Sequence, residues 1–363
     1  MNFNILTINP GSTSTKLAIF KNELEVSNFE VSYEKKLLVQ FKSIFEQLPL
    51  RKETILSCLK EKNISLKDID CFVGRGGVLP PLPGGVYEIS QDMLKDTAEA
   101  RFGEHACNLG AHLAHEFASK YSKPCFVVDP PSTDEVIPIA RVTGLPEVNR
   151  RFLTHALSQR GIGRIAAKGL GLEYESCRFI VAHLGGGISM GAHKFGIIQD
   201  VISAYDGEGP FSPERSGAIP ALNILDLIES GRNSSELRKI LTSTSGLWAH
   251  LGTSDLREVE KKAATDLKSK LLLDAMAYNI AKGIAQMAPL LYDSTISSPI
   301  DGIVLTGGMV RSEYLMNKIK HHVSWIAPLL LYPETCEMQA MGAGGLRALE
   351  KKEIAKTYAS HDS

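Results

Sequence analysis

The residues whose types and spacing best suit chemistry lie near the start of the chain, in the polar segment 9–16. Asn9 and Lys16 enclose a proline, a glycine and a run of hydroxyls, and such groups suit the oxygens of phosphate. Apolar runs at residues 5–8 and 17–20 flank the segment, which predicts a strand, a turn and a second strand. An ordinary hairpin rich in hydroxyls is the alternative. A Walker P-loop does not fit, because no second glycine precedes Lys16 and no helical pattern follows it.

Two more apolar strand patterns end on glycines. Residues 178–184 run into three consecutive glycines at 185–187, and residues 302–305 run into a pair at 307–308. Glycine lets a backbone approach a ligand closely, so such turns also suit phosphate. Three turns of this kind in one chain predict two related halves that hold one phosphorylated ligand.

Several motifs stand in the order found in a known family. Segments 9–16 (Asn-Pro-Gly-Ser-Thr-Ser-Thr-Lys), 183–187 (His-Leu-Gly-Gly-Gly) and 215–220 (Arg-Ser-Gly-Ala-Ile-Pro) together resemble the acetate and butyrate kinase family. Segments 74–78 (Gly-Arg-Gly-Gly-Val) and 155–159 (His-Ala-Leu-Ser-Gln) resemble its butyrate kinase branch. The likeness extends over nearly the whole chain. It implies an α/β fold of the actin, Hsp70 and sugar-kinase superfamily: two-lobed, ribonuclease H-like and duplicated, with a nucleotide cleft between the lobes.

The resemblance implies reversible phosphoryl transfer from ATP to the carboxylate of butanoate, giving butanoyl phosphate and ADP by direct in-line transfer. A fatty acid with a pKa of about 4 is already ionised at neutral pH, so no general base is needed. Cations must instead bring two anions together and stabilise the transferring group. An acetate, propionate or branched short-chain fatty acid kinase is an alternative. An ATPase of the actin or Hsp70 kind, without a carboxylate substrate, is a more distant one.

The family's catalytic residues fall on four positions of this sequence: Arg75, Asp129, His155 and Arg215. Arg75 and Asp129 follow predicted strands, where ligands of α/β proteins gather. His155 stands four residues after Arg151, as in the family's pattern. Acetate kinases carry a second histidine four residues further on, where this chain has Gln159, so that role is absent or altered here.

The acid is expected to bind beside Arg75, with Gly77 and His105 as further substrate-binding residues. Acetate-using members have a valine at the position of Gly77, so we expect the glycine to open room for a longer acyl chain. The alternative is that Gly77 only permits a tight turn, with the space refilled by Leu79 or Leu82.

The resemblance also implies an ATP or ADP site with Mg²⁺. The nucleotide and phosphate positions are Asn9, Ser12, Ser14, Lys16, His183, Gly185, Gly186, Gly187, Asp255, Arg257, Gly307 and Gly308. The positions expected on the magnesium side are Asn9, Asp129 and Glu337.

Composition places the chain among ordinary soluble proteins, with 44% hydrophobic residues and 22% charged residues among 363. A net charge of −1 gives no general attraction to nucleic acid or to an anionic membrane. Six scattered cysteines and the lack of a signal or membrane-spanning pattern predict a cytoplasmic protein with reduced thiols. The resemblance adds a homodimer or a higher homo-oligomer as the expected state.

A length of 363 residues predicts two domains. We expect an N-terminal lobe formed by residues 1–147 and 334–363, with a terminal helix returning to it, and a C-terminal lobe formed by residues 148–333. Periodicity predicts helices at 35–48, 52–62, 104–121, 149–169, 234–242, 254–262, 267–292 and 335–352. It predicts strands, besides those already named, at 71–73, 124–128, 303–305 and 329–332.

Overall fold

The computed structural model describes residues 2–150, 152, 154–203, 207–297, 299–334 and 336–360. The chain divides into two compact units, one formed by residues 1–134 and 336–363 and the other by residues 135–335. The sequence prediction placed the corresponding division between residues 147 and 148. We call these units 1 and 2.

The strands of the described residues are β1 (Asn4–Pro10), β2 (Ser14–Lys21), β3 (Leu24–Ser32), β4 (Cys71–Gly74), β5 (Val86–Glu88), β6 (Cys125–Val128), β7 (Arg178–Leu184), β8 (Ile188–Lys194), β9 (Ile197–Ile202), β10 (Gly302–Thr306), β11 (Leu329–Tyr332) and β12 (Lys356–Thr357). The α-helices are α1 (Lys35–Leu38), α2 (Leu48–Glu61), α3 (Gln91–Ala98), α4 (Asn108–Ser119), α5 (Pro138–Arg141), α6 (Ala156–Gly169), α7 (Ala221–Glu229), α8 (Ser234–Ser243), α9 (Gly246–Leu251), α10 (Leu256–Ala263), α11 (Leu267–Leu291), α12 (Glu313–Val323) and α13 (Glu337–Leu349).

Unit 1 is built on a mixed sheet with the strand order β12-β5-β6-β4-β1-β2-β3. The predicted opening hairpin is confirmed: β1 pairs antiparallel with β2, and Asn9 lies opposite Lys16. Helices α4 and α13 pack against β1, β4 and β6. Glycine makes the α4 contact possible, since a Cβ on Gly110 would lie 2.3 Å from the carbonyl oxygen of Arg75. The last helix, α13, belongs to unit 1.

Unit 2 is built on a second sheet with the order β11-β10-β7-β8-β9. Strands β7, β8 and β9 form an antiparallel meander, while β10 runs parallel to both β7 and β11. One apolar stripe of α11 is buried in the cluster that covers this sheet: Met276, Ile280, Ile284, Met287 and Leu291. Strands β7 and β10, which end on the two glycine turns, are neighbours in this sheet.

Two predicted helices are wrong in extent. The segment 35–48 is broken after Leu38: a 3₁₀ turn covers Phe45–Gln47, and α2 begins at Leu48. The break arises because Glu46 accepts the N–H of Lys42 and Pro49 stands in the first turn of α2. In the segment 149–169, helix α6 begins at Ala156, and the described residues Arg150 and His155 before it are not helical. Arg150 is held there by side-chain hydrogen bonds to Glu208, at 2.9 Å, and to the carbonyl oxygen of Val201, at 2.7 Å.

The other predicted elements are confirmed to within a few residues. Ser65 caps a short turn before β4. Within the described ranges, no helix is long and apolar enough to cross a bilayer.

Candidate functional site

The turn between β1 and β2 is a short polar loop that projects its side chains outward. The Gly11 N–H donates to the carbonyl oxygen of Ser14 at 2.7 Å, which closes the turn. Ser12 and Lys16 are exposed, whereas Ser14 and Asn9 are half-buried. The structure thus places these four predicted phosphate-binding residues on one hairpin, where hydroxyl, amide and ammonium groups can contact an anion.

Arg51 lies directly beneath this loop, and sequence reasoning missed it. Its side chain is fully buried in α2. The guanidinium group donates to the carbonyl oxygens of Gly11 (2.9 Å), Ser12 (3.2 Å) and Ser14 (3.3 Å). It also donates to Gln47 Oε1 at 2.9 Å. Among the described residues no carboxylate pairs with Arg51, so a buried positive charge supports the loop from behind.

A sequence signal for Arg51 exists in retrospect. It falls on the buried face of α2, between Leu48 and Ile55, where helical periodicity calls for an apolar residue. Desolvation by burial lowers its pKa, but an arginine remains charged at neutral pH. A charged residue on an otherwise apolar stripe therefore marks a polar contact with another part of the fold.

The ends of β4 and β6 bring Arg75 and Asp129 together. Arg75 Nη1 donates to the carbonyl oxygen of Asp129 at 3.2 Å, while the Asp129 carboxylate accepts the N–H of Gly85 at 2.7 Å. Asp129 is buried, and its backbone has a φ of 39°, in the left-handed region. His105 Nδ1 accepts the N–H of Cys107 at 3.2 Å, and desolvation and then the positive charge of Arg75 lower the pKa of His105.

Asn9 and Glu337 are in contact although they lie far apart in sequence. Asn9 Nδ2 donates to Glu337 Oε2 at 3.1 Å, at the end of β1 and the start of α13. Among the described residues, no group of three or more His, Cys, Asp and Glu side chains is arranged to hold a metal ion. A magnesium ion bound through nucleotide phosphates needs only one or two protein carboxylates, and this oxygen-bearing pair fits that requirement.

The expectation that Gly77 opens an acyl pocket is wrong. A Cβ on Gly77 would lie 2.6 Å from Thr97 Cγ2 and 3.0 Å from Asn108 Oδ1. Both neighbours are buried, and Asn108 Oδ1 already accepts the N–H of Val78 at 2.9 Å. The space is filled by Thr97 and Asn108, not by Leu79 or Leu82. Gly77 is a point of close approach rather than an opening.

In unit 2, His155 and His183 form a stacked pair. Their ring centroids are 4.2 Å apart, and their planes differ by 19°. His155 precedes the first turn of α6, whereas His183 lies near the end of β7. Both side chains are half-buried. Arg151 lies outside the described residues.

A hydrogen-bonded group of side chains lies behind His155. His155 Nδ1 is 2.8 Å from Ser189 Oγ, and Gln159 Nε2 donates to the same Oγ at 2.9 Å. Gln159 Oε1 is 3.0 Å from His193 Nε2, and His193 Nδ1 is 2.8 Å from the hydroxyl of Tyr174. The residues behind His155 are buried. The position at which acetate kinases carry a second histidine is therefore joined to His155 through Ser189.

The glycine loop after β7 and Arg215 are held together. Ser212 Oγ donates to the carbonyl oxygen of Gly186 and accepts the N–H of Arg215 at 3.1 Å. Arg215 Nε donates to the carbonyl oxygen of Thr242 at 3.2 Å. A Cβ on Gly187 would lie 2.3 Å from Arg215 Nη1, so the guanidinium group occupies the space that only a glycine leaves.

The second glycine turn adjoins the first. Gly307 has a φ of 100°, and a Cβ there would lie 2.4 Å from the carbonyl oxygen of Leu184. Gly308 has open space at its Cβ position. The turns after β7 and β10 therefore lie side by side, as expected for phosphate-binding turns at neighbouring strand ends.

Asp255 and Arg257 form a local pair. Asp255 caps α10 by accepting the N–H of Arg257 at 2.9 Å, and Arg257 Nη2 donates to Asp255 Oδ2 at 2.6 Å. These bonds lower the pKa of Asp255 to about 2. The structure gives the two residues a capping role. Their predicted contact with nucleotide stays a prediction.

Unit 2 also contains a cavity of about 420 Å³ between α7 and α8. Its lining includes the apolar side chains of Ile224, Ile228 and Leu237, and it includes none of the residues that the sequence predicted to bind nucleotide.

Comparison with known proteins agrees with the resemblance in the sequence. Residues 143–324 match the model of the acetokinase family. A probable butyrate kinase from Maridesulfovibrio salexigens is 46% identical over 99% of this chain and 100% of that relative. Butyrate kinase 2 from Clostridium acetobutylicum is 43% identical, again over 99% of this chain and 100% of the relative.

The fold agrees as well. The crystal structure of Porphyromonas gingivalis acetate kinase superposes with a TM-score of 0.74 at 20% identity, covering 96% of this chain and 100% of that chain. This confirms the predicted α/β fold, which the chain shares with that acetate kinase. Because the two butyrate kinase relatives are 46% and 43% identical over 99% of this chain, the chain belongs to the acetokinase family.

Proposed function

We propose that this protein is a butyrate kinase, which transfers a phosphoryl group from ATP to butanoate and gives butanoyl phosphate and ADP, reversibly. The observation that carries the proposal is the 46% identity to a protein named probable butyrate kinase, over 99% of this chain. The geometry agrees, because unit 1 offers a supported polar loop and unit 2 offers paired glycine turns beside a histidine and an arginine.

The chemistry asks for positioning and charge rather than for a base. Butanoate is an anion at neutral pH, and it must approach an anionic phosphate. The transferring phosphoryl group spreads charge over its equatorial oxygens, so cations and hydrogen-bond donors aimed at those oxygens lower the barrier. We propose that Arg75 and His105 bind the carboxylate and that Arg215 and His155 contact the phosphoryl group.

The nucleotide phosphates are assigned to the hairpin between β1 and β2 and to the glycine turns after β7 and β10. We propose that Ser12, Ser14 and Lys16 contact phosphate oxygens, as do the backbone groups of Gly185–Gly187 and Gly307–Gly308, with His183 beside them. Asn9, Glu337 and Asp129 would hold Mg²⁺, which supplies charge neutralisation at the β- and γ-phosphates when bound. The Gly85 N–H, 2.7 Å from Asp129 Oδ1, would orient that carboxylate.

The filled space at Gly77 removes the structural reason for choosing among short-chain acids. The identity to named butyrate kinases favours butanoate over acetate, propionate or branched acids. The test is an acyl-phosphate assay, in which hydroxylamine traps the product from acids of two to five carbons, both straight and branched. We expect butanoate to give the highest kcat/KM. A preference for acetate contradicts the choice of acid, and ATP turnover without trapped product contradicts a carboxylate kinase.

We further propose that the protein works in the cytoplasm as a homodimer or a larger homo-oligomer. All six cysteines are free thiols, which agrees with a reducing compartment. Helix α7 has no buried residue and exposes Leu222, Leu225 and Ile228, and clustered exposed apolar side chains are typical of interaction surfaces. Sedimentation velocity of the purified protein measures the state directly, and a monomer at micromolar concentration contradicts the proposal.

A further inference from the structure

We propose that Gln159, His193 and Tyr174 form a directed hydrogen-bond relay which fixes the tautomer of His155, so that its proton stands on Nε2. The inference deepens the proposed function, since it rests on His155 donating a hydrogen bond to the phosphoryl group. In the relay each group donates to the next, from the Tyr174 hydroxyl through His193, Gln159 and Ser189 to the imidazole of His155.

The direction is set at the buried end of the relay. A phenol is a stronger donor than an imidazole N–H, and an imidazole nitrogen is the stronger acceptor, so Tyr174 donates to His193 Nδ1 across their 2.8 Å contact. His193 is neutral, because complete burial and then the nearby charge of Arg160 lower its pKa to about 3. A neutral imidazole that accepts on Nδ1 carries its proton on Nε2, and that nitrogen therefore donates to Gln159 Oε1 at 3.0 Å.

Gln159 passes this direction on because its amide has two unlike ends. With Oε1 turned to His193, the NH₂ group donates to Ser189 Oγ at 2.9 Å and to Thr154 Oγ1 at 2.8 Å. Ser189 Oγ then accepts from Gln159 and also, at 3.4 Å, from Thr154 Oγ1. These two bonds fill both of its lone pairs and leave its own hydrogen to donate. The His155 Nδ1 atom, 2.8 Å away, must accept that hydrogen. The proton of a neutral His155 is thereby placed on Nε2, across the ring from Ser189.

The opposite amide orientation gives the opposite result. If the oxygen of Gln159 faced Ser189, the serine would donate to it, and His155 would have to donate from Nδ1. Nε2 would then be a bare acceptor, which repels phosphoryl oxygens instead of binding them. The side chain at 159 therefore decides whether His155 is a donor or an acceptor towards substrate.

The surrounding backbone leaves room for this relay. A Cβ on Gly191 would lie 2.5 Å from Gln159 Oε1 and 2.9 Å from His193 Nε2, so the contact between those two atoms requires a glycine in β8. A Cβ on Gly163 would lie 2.8 Å from the ring of Tyr174. Gly191→Ala thus disturbs the relay without removing any of its hydrogen-bonding groups.

The test is ¹⁵N NMR of the full-length protein labelled at histidine, which separates protonated from bare ring nitrogens. His155→Gln assigns the His155 signals. In the wild type we expect a protonated Nε2 and a bare Nδ1 on His155. A protonated Nδ1 with a bare Nε2 overturns the relay, whatever the variants do.

Gln159→Met and Gly191→Ala should each give His155 signals of mixed or reversed tautomer. They should lower kcat about tenfold or more while the KM for the acid changes by less than about threefold, because the lost interaction acts on the phosphoryl group in transit. Folded variants with an unchanged His155 tautomer also overturn the relay. Thr97→Val is the matched control: it removes the hydroxyl 3.0 Å from buried His112 Nε2, and it should move His112 signals but not those of His155.

The NMR experiment measures the tautomer of His155 without enzyme turnover. A failure of the relay can therefore be distinguished from a failure of the proposed kinase function. A wild type that phosphorylates no acid contradicts the kinase, whereas an active wild type with the wrong His155 tautomer contradicts only the relay.

Discussion

The guanidinium group of Arg215 occupies the space beside the Cα of Gly187, where a Cβ would lie 2.3 Å from Nη1. We therefore expect Gly187→Ala to displace Arg215 and to lower kcat by about 10², the scale of a lost transition-state contact. Gly186→Ala is the matched control, because its Cβ would lie 3.4 Å from the Glu214 carboxylate, at ordinary contact distance. Steady-state kinetics should show a much smaller loss for the control. Equal losses would mean that the loop, rather than the position of Arg215, is responsible.

Arg75→Ala and Arg215→Ala should each lower kcat by about 10² or more, on the order of 3 kcal/mol of transition-state stabilisation. The physical reason is that each removes a positive charge from a reaction between two anions. The measurement is kcat for butanoate in the purified variants, after circular dichroism has established their folding. Near-normal turnover in either variant removes that residue from the mechanism.

Gly77→Val should destabilise the protein rather than change its choice of acid. The new side chain would overlap Thr97 Cγ2 and Asn108, and overpacking of this kind costs about 1–3 kcal/mol. Urea unfolding measures the loss. Gly144→Ala serves as the control, because nothing lies within 4 Å of its Cβ position. A stable Gly77→Val protein with a new preference for acetate would restore the acyl-pocket hypothesis.

Arg51→Met should cost about 1–3 kcal/mol of folding stability for each acceptor left unsatisfied. It removes the donor to the carbonyl oxygens of Gly11 and Ser12, whereas Ser14 keeps its bond from the Gly11 N–H. It should also weaken ATP binding, because the loop loses its support and a nearby positive charge. Lys52→Met, the next residue of α2, removes a charge that forms an ion pair with Glu116 nearer the surface. That control should change stability by less than about 1 kcal/mol. Calorimetric titration with ATP completes the comparison.

The buried histidines predict loss of stability in acid. Burial lowers the pKa of His112 to about 4, whereas an unfolded histidine titrates near 6.5. Between these pH values the unfolded chain binds a proton that the folded protein does not. The free energy of unfolding therefore falls as the pH is lowered from about 6.5 to about 4. The slope approaches about 1.4 kcal/mol per pH unit for each such group. Urea unfolding from pH 7 to pH 4.5 should show a flatter profile for His112→Gln than for the wild type.

The sequence predicted the elements whose signals are local. The hairpin around segment 9–16 and the helix α11 could be predicted from alternation and helical spacing, and both are confirmed. Contacts between distant segments could not be read in this way. The support of the loop by Arg51 depends on the packing of α2 against β3 and α4, which no short pattern encodes.

The glycines show the same limit of prediction from sequence. At Gly77 and Gly187 the residue type indicates that a side chain is missing, but it does not say whether the space stays open or is taken by a neighbour. In the structure both spaces are taken, by Thr97 and Asn108 in one case and by Arg215 in the other. The relay behind His155 was equally beyond the sequence, because it joins α6 to β8 through side chains that have no common spacing.

Helix α13, whose Glu337 accepts the hydrogen bond from Asn9, packs in unit 1 although it follows all of unit 2 in the sequence, and this order has a consequence for protein synthesis. Unit 1 needs α13, whose Gly345 lies against Val73 and Ile5 of the central strands, yet the ribosome delivers that helix only after all of unit 2. Unit 2 is continuous and can form as soon as it emerges, whereas unit 1 must wait with part of its sheet uncovered. The nascent chain therefore passes through a stage at which an apolar sheet face is open to water. At that stage the uncovered sheet face is the surface that a chaperone would protect from aggregation.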